Sequence, residues 1–201
     1  MTMPDFELEK SAYDAGYTAV CGVDEAGRGP LAGPVCAAAV ILPKGTEIEG
    51  VNDSKKLTEK KREALFDVIK EKSIAYSIAF ASVEEIEELN ILKATHLAMK
   101  RAIENLSVKA DYALIDGNSL PKEIKVECSA VIKGDSLSTS IAAASILAKV
   151  SRDRLLLEYD KKYPEYNFAK HKGYGTKEHI EAIKKYGASE VHRASFLKNI
   201  K

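Results

Sequence analysis

Short apolar runs, some continuous and some alternating with polar residues, mark the β-strands of this chain. Five such runs are rich in β-branched residues or alanine, and turn residues interrupt the chain between them, which is typical of strands buried in a sheet. None of the runs reaches the ~18 consecutive apolar residues that a membrane-spanning helix needs. The predicted strands cover residues 18–23, 35–42, 73–80, 111–115 and 126–132.

Apolar residues that recur every three or four positions predict helices between and after these strands. Thr58 has the side chain of a helix N-cap, and residues 82–85 form a Ser-x-x-Glu capping box ahead of a long apolar stripe. A third helix is rich in alanine and serine, which allows it to lie close against a sheet, and a fourth ends at Gly187. The predicted helices cover residues 58–72, 82–106, 136–159 and 176–186.

The order of these elements predicts an α/β fold with a central mixed five-stranded sheet flanked by helices. Consecutive early strands can pair antiparallel, whereas a strand that follows a helical crossover can pair parallel. The sequence contains no internal repeat and no linker rich in glycine, proline or serine. We therefore expect one catalytic domain, residues 1–160, and a small helical C-terminal extension, residues 161–201, packed on it.

Acidic residues follow three of the predicted strands, each close to a glycine. Asp24 and Glu25 follow the first strand, Asp116 follows the fourth, and Asp135 comes shortly after the fifth. If the first and fourth strands are parallel neighbours, Asp24 and Asp116 lie at the same edge of the sheet, where ligands of such folds collect. Clustered carboxylates suit Mg²⁺ or Mn²⁺, and a pair of such ions is a common device for breaking phosphodiester bonds.

Each of these residues also has a simpler interpretation. Asp116 precedes Gly-Asn and could be a turn residue, Asp135 could be an ordinary helix N-cap, and Asp24 with Glu25 could be a solvated strand end. Spacing alone leaves both interpretations open.

The glycine-rich run at residues 27–33 indicates a place where backbone can approach a ligand closely. Gly27, Arg28 and Gly29 combine exposed amides with a guanidinium, which suits a phosphate or a sugar hydroxyl, although a tight turn explains the same residues. The third glycine stands one place too late for a dinucleotide fingerprint, and the chain has no P-loop.

Charge is balanced over the whole chain but not along it. The 201 residues include 30 Lys or Arg and 30 Asp or Glu, which disfavours a protein held to nucleic acid by bulk charge. Residues 161–201 carry ten basic and four acidic residues, so this segment is basic and the remainder acidic. The basic segment is either a nucleic-acid contact or a solvated helix face.

The three cysteines are odd in number and lie apart in apolar runs: Cys21, Cys36 and Cys128. This pattern predicts buried free thiols in a reducing compartment rather than disulfides or a zinc site. The first fifteen residues are acidic and lack the apolar core of a signal peptide. We expect a cytoplasmic monomer.

Several segments together resemble the motifs of bacterial ribonuclease HII, a type 2 ribonuclease H. The resemblance runs in order from about residue 19 to residue 197. The matching segments are residues 22–35, 52–57, 115–118, 133–136, 140–150 and 171–176. The related ribonuclease HIII typically has an extra N-terminal domain and lacks the Gly-Arg-Gly run, so ribonuclease HII is the better match.

The resemblance implies the ribonuclease H fold and an endonuclease that hydrolyses the RNA strand of RNA–DNA hybrids. It also implies incision on the 5′ side of single ribonucleotides embedded in duplex DNA, by two-metal-ion catalysis with Mn²⁺ or Mg²⁺ that leaves 3′-hydroxyl and 5′-phosphate ends. The implied catalytic and metal-binding residues are Asp24, Glu25, Asp116 and Asp135.

The resemblance further implies how the substrate is held. Gly27, Arg28 and Gly29 would read the ribose 2′-hydroxyl and its phosphates, and Tyr174 would stack on the neighbouring sugar. Lys55, Lys56 and the basic C-terminal segment would neutralise phosphates of the duplex, and His171 is a weaker candidate for the same contact. Of the other histidines, we expect His96 in the core and His179 in solvent, and assign no role to His192.

Two rival functions need consideration. A non-catalytic nucleic-acid module would carry four carboxylates in its groove, and these would repel phosphate without a metal. A structural Ca²⁺ domain would need a 12-residue loop with regularly spaced oxygen ligands, which the sequence lacks.

Overall fold

Small and β-branched residues build a mixed sheet at the centre of the molecule. The computed structural model describes residues 3–200, except the side chain of Lys56, so the predicted Lys56 phosphate contact lies outside the described residues. The strands are β1 (Val20–Ala26), β2 (Val35–Ile41), β3 (Ala75–Ala81), β4 (Tyr112–Asp116) and β5 (Glu127–Val131). Their spatial order is β3-β2-β1-β4-β5. β1, β2 and β3 pair antiparallel, whereas β1, β4 and β5 pair parallel, which confirms the predicted mixed five-stranded sheet.

Helices cover both faces of this sheet. They are α1 (Glu7–Asp14), α2 (Glu59–Lys72), α3 (Val83–Leu89), α4 (Ile91–Glu104), α5 (Thr139–Lys162), α6 (Phe168–His171) and α7 (Lys177–Tyr186). Every residue of β2 is buried, because α4 packs on one of its faces and α5 on the other. Among the described residues, no helix is both long and apolar enough to span a membrane.

Helix α5 lies unusually close to the central strand. A Cβ placed on Gly22 of β1 would stand 2.2 Å from the backbone carbon of Ser140, so only glycine fits there. Alanines on the same helix pack against the small side chains of β2. The predicted small-residue face of this helix therefore does hold it close to the sheet, and the same packing fixes the end of β1.

The long helix predicted over residues 82–106 is wrong, because the chain breaks at Asn90. Asn90 has φ 72° and ψ 163°, which no helix tolerates, and its side-chain oxygen accepts hydrogen bonds from the amides of Leu92 and Lys93. The break separates α3 from α4 and changes which residues are buried. Lys93 is exposed and His96 is half-buried, so His96 is not a core residue.

Helix α1 is tied to the start of α5. The buried carboxylate of Glu9 accepts hydrogen bonds from the Ser138 hydroxyl at 2.5 Å and from the Ser140 amide at 2.8 Å. Just before α1, the backbone of Asp5 pairs with Leu137 and Thr139. The segment that follows Asp135 is thereby braced from outside the sheet.

The C-terminal segment adds a small cluster of its own. Aromatic and aliphatic side chains after α5, including Tyr166, Phe168 and Ile183, pack around Leu156 of α5 and around Ala32. Helix α5 itself continues past residue 160. This places α6, α7 and the loop between them beside the segment that joins β1 to β2.

Candidate metal centre and substrate cleft

Two carboxylates lie within the end of β1 rather than after it. The apolar pattern stops at Val23, but pairing with β2 continues, with Asp24 opposite Ala38 and Glu25 opposite Ala37. The backbone of both residues is therefore fixed by the sheet, and Asp24 is buried. The Glu25 amide donates to Asp24 Oδ1 at 2.7 Å, which orients the Asp24 carboxylate.

Asp116 joins them from the neighbouring parallel strand. β1 and β4 are in register with Val23 opposite Ile115, so Asp24 and Asp116 are the next residues at the same edge, as predicted. One carboxylate oxygen from each of Asp24, Glu25 and Asp116 lies within 4.8 Å of the other two. This all-oxygen donor set fits Mg²⁺ or Mn²⁺.

The electrostatics of this cluster favour a bound cation. Burial, followed by the charges of Glu25 and Asp116, raises the pKa of Asp24 well above its ordinary value, although the Ser145 hydroxyl and the Glu25 amide oppose the shift. Burial also raises the pKa of Glu25; Arg28 opposes this shift and Asp116 adds to it. A divalent cation would remove the repulsion that makes the charged forms costly.

Asp135 stands beside this cluster rather than inside it. It lies in a short turn before α5, with 6% of its surface exposed, and it is not the cap of that helix, because Ser138 is. Burial raises the pKa of Asp135, and the charges of Asp53 and Asp116 add to the shift while Lys55 lowers it. The Gly134 amide donates to Asp116 Oδ1 at 2.7 Å, which ties the turn of Asp135 to the end of β4.

Sequence reasoning missed a fifth carboxylate, that of Asp53. It caps the short helical turn Ser54–Lys56, where its Oδ1 accepts a hydrogen bond from the Lys55 amide at 2.9 Å. It also lies near enough to Asp135 to raise the pKa of that group. The sequence did contain a signal for it, because Asp53 lies in the segment 52–57 that resembles a known motif, but no role was assigned to its side chain.

One cleft of about 550 Å³ brings the predicted substrate residues together beside Glu25. Gly27, Arg28, Gly29, Lys55 and Tyr174 all line it. Six other residues line the cleft, and none of them was assigned a site role from the sequence: Ala26, Ser54, Ile91, Ser145, Lys149 and Phe196.

Lys55 and Ser145 connect the cleft to the carboxylates. Burial lowers the pKa of the Lys55 amine, but the surrounding carboxylates, Asp24 first, outweigh this and raise it, so the amine is held as a cation. The Ser145 hydroxyl bonds Asp24 and lies 2.8 Å from the Ser54 hydroxyl. Ser145 therefore links β1 to the turn that carries Lys55.

Tyr174 presents its ring to the cleft. The side chain is 44% exposed, and Lys149 Nζ lies 6.0 Å from the ring centroid. Asp153 holds Lys149 through a 2.7 Å ion pair. A Cβ on Gly29 would stand 3.7 Å from the Tyr174 ring, so the two glycine-rich loops meet at this point.

Three histidines lie behind Tyr174 and are all buried. The predicted phosphate contact of His171 is wrong, because its Nε2 lies 2.7 Å from the Tyr166 carbonyl and its Nδ1 accepts from the Gly173 amide. His179 is fully buried, not solvated as predicted, because Phe168 and the other two rings pack around it.

The hydrogen bonds of these rings form a chain that ends at Tyr174. Ser189 donates its amide to His192 Nδ1, so in the neutral ring His192 Nε2 carries the hydrogen and donates to His179 Nε2 at 3.0 Å. His179 Nδ1 then donates to the Tyr174 carbonyl at 2.9 Å. The rings therefore fix the backbone of the Tyr174 loop.

Known proteins resemble the chain over nearly its full length. The sequence profile described as Ribonuclease HII matches residues 21–199. Ribonuclease HII of Caldicellulosiruptor bescii is 60% identical over 97% of this chain and 94% of its own. Ribonuclease HII of Clostridioides difficile is 58% identical over 96% of this chain and 75% of its own.

Solved structures share the fold. Ribonuclease H2 of Pyrococcus horikoshii superposes with a TM-score of 0.74 at 29% identity, covering 91% of this chain and 97% of that one. The ribonuclease HII of Archaeoglobus fulgidus, solved in a complex with PCNA, gives 0.73 at 24% identity, covering 88% and 94%.

Proposed function

The chain belongs to the ribonuclease HII family of metal-dependent endoribonucleases, which act on RNA–DNA hybrids, and on this basis we propose that it also incises DNA duplexes at single ribonucleotides. The proposed cut lies on the 5′ side of the embedded ribonucleotide and leaves 3′-hydroxyl and 5′-phosphate ends. One observation supports it most: a single cleft joins a carboxylate cluster to the Gly27-Arg28-Gly29 backbone and to Tyr174.

The proposed metal ligands are Asp24, Glu25, Asp116 and Asp135, with Mg²⁺ or Mn²⁺ as the ion. Bound ions of this kind supply an activated water for attack on phosphorus and neutralise charge on the leaving oxygen. The chain contributes rigid placement, since Asp24 and Glu25 are held by the sheet and Asp116 by the Gly134 amide.

Recognition of the ribonucleotide needs a group that detects the 2′-hydroxyl, the feature that separates RNA from DNA. The amides of Arg28 and Gly29 are suited to that hydroxyl and to the adjoining phosphates, and Tyr174 offers a ring to the next sugar. Lys55 would neutralise phosphates near the metal centre, and we propose the same kind of phosphate contact for Lys56.

The proposed partner is an RNA–DNA hybrid or a ribonucleotide-containing DNA duplex, bound by a monomer. In this proposal residues 1–160 form the catalytic domain, and residues 161–201 form an extension whose contacts with the loop after β1 support substrate binding.

A direct assay tests this function. A labelled duplex with one ribonucleotide is incubated with the protein in Mg²⁺, in Mn²⁺ and in EDTA, and the ends of the products are identified. We expect a metal-dependent nick with the termini given above. Binding without a nick would instead indicate the non-catalytic module, and a 2′,3′-cyclic phosphate would make the 2′-hydroxyl the nucleophile and contradict hydrolysis by water.

A further inference from the structure

Two arginines are buried in this protein without the carboxylate partner that a buried cation usually has. Arg152 lies on α5 and Arg193 lies after α7, and they are 1% and 0% exposed. Within residues 3–200, neither guanidinium is within ion-pair distance of an acidic group. Burial lowers the pKa of both, that of Arg193 to about 9. Because an unpaired buried charge is costly, the hydrogen bonds of each guanidinium have to offset the loss of its hydration.

All the recorded hydrogen bonds of these side chains go to backbone carbonyls. Arg193 donates to the carbonyls of four residues in the loop after β1: Gly27 at 2.6 Å, Arg28 at 3.0 Å, Pro30 at 2.8 Å and Gly33 at 2.8 Å. Arg152 donates to three: Ala32 at 2.9 Å, Pro34 at 3.0 Å and Lys172 at 3.0 Å. Arg152 thus joins this loop to the one that carries Tyr174.

The direction of these carbonyls determines the direction of the amides. In a trans peptide the carbonyl and the following N–H point in opposite directions. Because Arg193 binds the carbonyls of Gly27 and Arg28, the amides of Arg28 and Gly29 point away from the buried guanidinium. Both residues line the cleft, and in the described part of the chain neither amide donates to another protein group.

We propose that Arg193 and Arg152 are positioning residues for substrate recognition, which fix the 27–33 loop so that the Arg28 and Gly29 amides face the substrate ribose, in register with Tyr174. This inference rests on the proposed function and adds residues that do not touch the substrate. Lysine cannot replace either arginine, because one ammonium cannot reach carbonyls on several sides at once.

The test compares Arg193→Lys and Arg152→Lys with wild type. kcat and KM are measured at one salt concentration on a duplex with a single ribonucleotide and on a long RNA–DNA hybrid. We expect kcat/KM on the single ribonucleotide to fall at least tenfold, and the loss on the hybrid to be at least fivefold smaller, because neighbouring contacts compensate there.

Two controls separate positioning from stability: Arg101→Lys, whose guanidinium binds Glu85 and the Phe80 carbonyl, and the core variant Ile69→Val. Neither should change the ratio between the two substrates.

The outcomes are distinguishable. If wild type does not nick the single ribonucleotide, the proposed function fails. If wild type does so and the folded lysine variants keep the wild-type ratio, only the positioning role is wrong. If one lysine variant does not fold, the substrate ratio of the other variant tests the positioning role.

A measurement by NMR hydrogen exchange requires neither lysine variant. In Asp24→Asn protein with Mg²⁺, the amides of Arg28 and Gly29 should exchange freely and become protected when the single-ribonucleotide duplex is added. Unchanged exchange on binding would overturn the proposed amide direction.

Discussion

Gly27 and Gly29 stand two residues apart but in different surroundings. Gly27 has φ 98°, and a Cβ there would lie 2.1 Å from Arg152 Nε, whereas a Cβ on Gly29 meets only the Tyr174 ring at ordinary contact distance. We expect Gly27→Ala to lower the free energy of unfolding by about 1–3 kcal/mol, through backbone strain and overpacking, and Gly29→Ala to leave it nearly unchanged. Thermal unfolding of the two variants measures this. Equal melting temperatures would contradict the tight packing of Gly27 on Arg152.

Gly29 and Tyr174 are exposed at the cleft, so changing them tests substrate specificity rather than stability. Gly29→Val should obstruct the approach of a ribose without touching a carboxylate. Tyr174→Ala should remove a stacking surface, and base–aromatic stacking of ~1–3 kcal/mol is an upper guide for a sugar. A loss of that size corresponds to a roughly 5- to 150-fold drop in kcat/KM. Both variants should be impaired more on a single embedded ribonucleotide than on a long hybrid; equal losses would mean that these residues only support the fold.

Removing one charge from the carboxylate cluster should separate activity from stability. Asp24→Asn should abolish cleavage, and because it relieves the repulsion with Glu25 and Asp116, its melting temperature without metal should equal or exceed that of wild type. Asp67→Asn, on an exposed face of α2, is the matched control and should retain activity. Full activity in Asp24→Asn would contradict the assignment of the metal centre.

The positions of the clustered carboxylates could be predicted from the sequence, whereas the roles of the buried arginines could not, and the reason is physical. Asp24 and Asp116 follow apolar runs, so the sheet geometry that brings them together is visible in the sequence. Arg152 and Arg193 offer no such pattern, because an arginine that binds buried carbonyls has the same sequence context as one in solvent. The partners of Arg193 are up to 166 residues away.

At the scale of elements, the break between α3 and α4 can be tested at one residue. The φ and ψ angles of Asn90 lie in a region that is essentially restricted to glycine, and its side chain caps α4. Asn90→Ala keeps the strain and loses the cap, which should cost about 1–3 kcal/mol of unfolding free energy. Asn90→Gly loses the cap but relieves the strain, so its loss should be clearly smaller. Urea unfolding of the pair measures the difference, and the reverse order would contradict the strained backbone.

The break at Asn90 also shows that the spacing of apolar residues does not reveal every helix boundary. Asn90 lies between two stretches with helical spacing, and its backbone angles reveal the interruption that the spacing does not show. Similarly, β1 continues to Ala26 because β2 pairs with it, although the apolar pattern ends at Val23. Strands and helices were otherwise predictable where one face is buried, and least predictable where pairing alone defines the end.

For the whole molecule, the buried histidines predict a dependence of stability on pH. Burial lowers the pKa of His179 and of His192 to about 4. The unfolded chain takes up these protons below about pH 6.5, so between about pH 4 and 6.5 it binds more protons than the folded state does. The unfolding free energy should therefore fall as the pH is lowered through this window, by at most about 1.4 kcal/mol per pH unit for each histidine.

The carboxylate cluster has its own pH dependence, of opposite sign, so a variant is needed to isolate the histidines. Urea unfolding at pH 7, 6 and 5 should show a shallower dependence for His179→Gln than for wild type. Parallel curves would contradict the prediction.

The net charge of the C-terminal segment overstates the free positive charge that the folded molecule presents. Arg193 is buried, and five lysines lie in ion pairs: Lys161, Lys162, Lys170, Lys172 and Lys177. The pairs of Lys161, Lys162, Lys170 and Lys177 are exposed and therefore weak, so a phosphate can displace their carboxylates, whereas the Lys172 side chain is largely buried. A sequence shows how many charges a segment carries, but not which of them already have a partner.

The bond between Glu9 and the start of α5 has a consequence for how the chain folds during synthesis. The Ser138 hydroxyl lies 129 residues further along the chain than Glu9. A ribosome that adds ~5–20 residues per second needs roughly 6–26 s to cover that distance. Throughout that interval the Ser138 and Ser140 donors have not yet been made, so the Glu9 carboxylate lacks these partners. Helix α1 is therefore made well before the hydrogen bonds that tie it to α5, and it braces the turn of Asp135 only once α5 has formed.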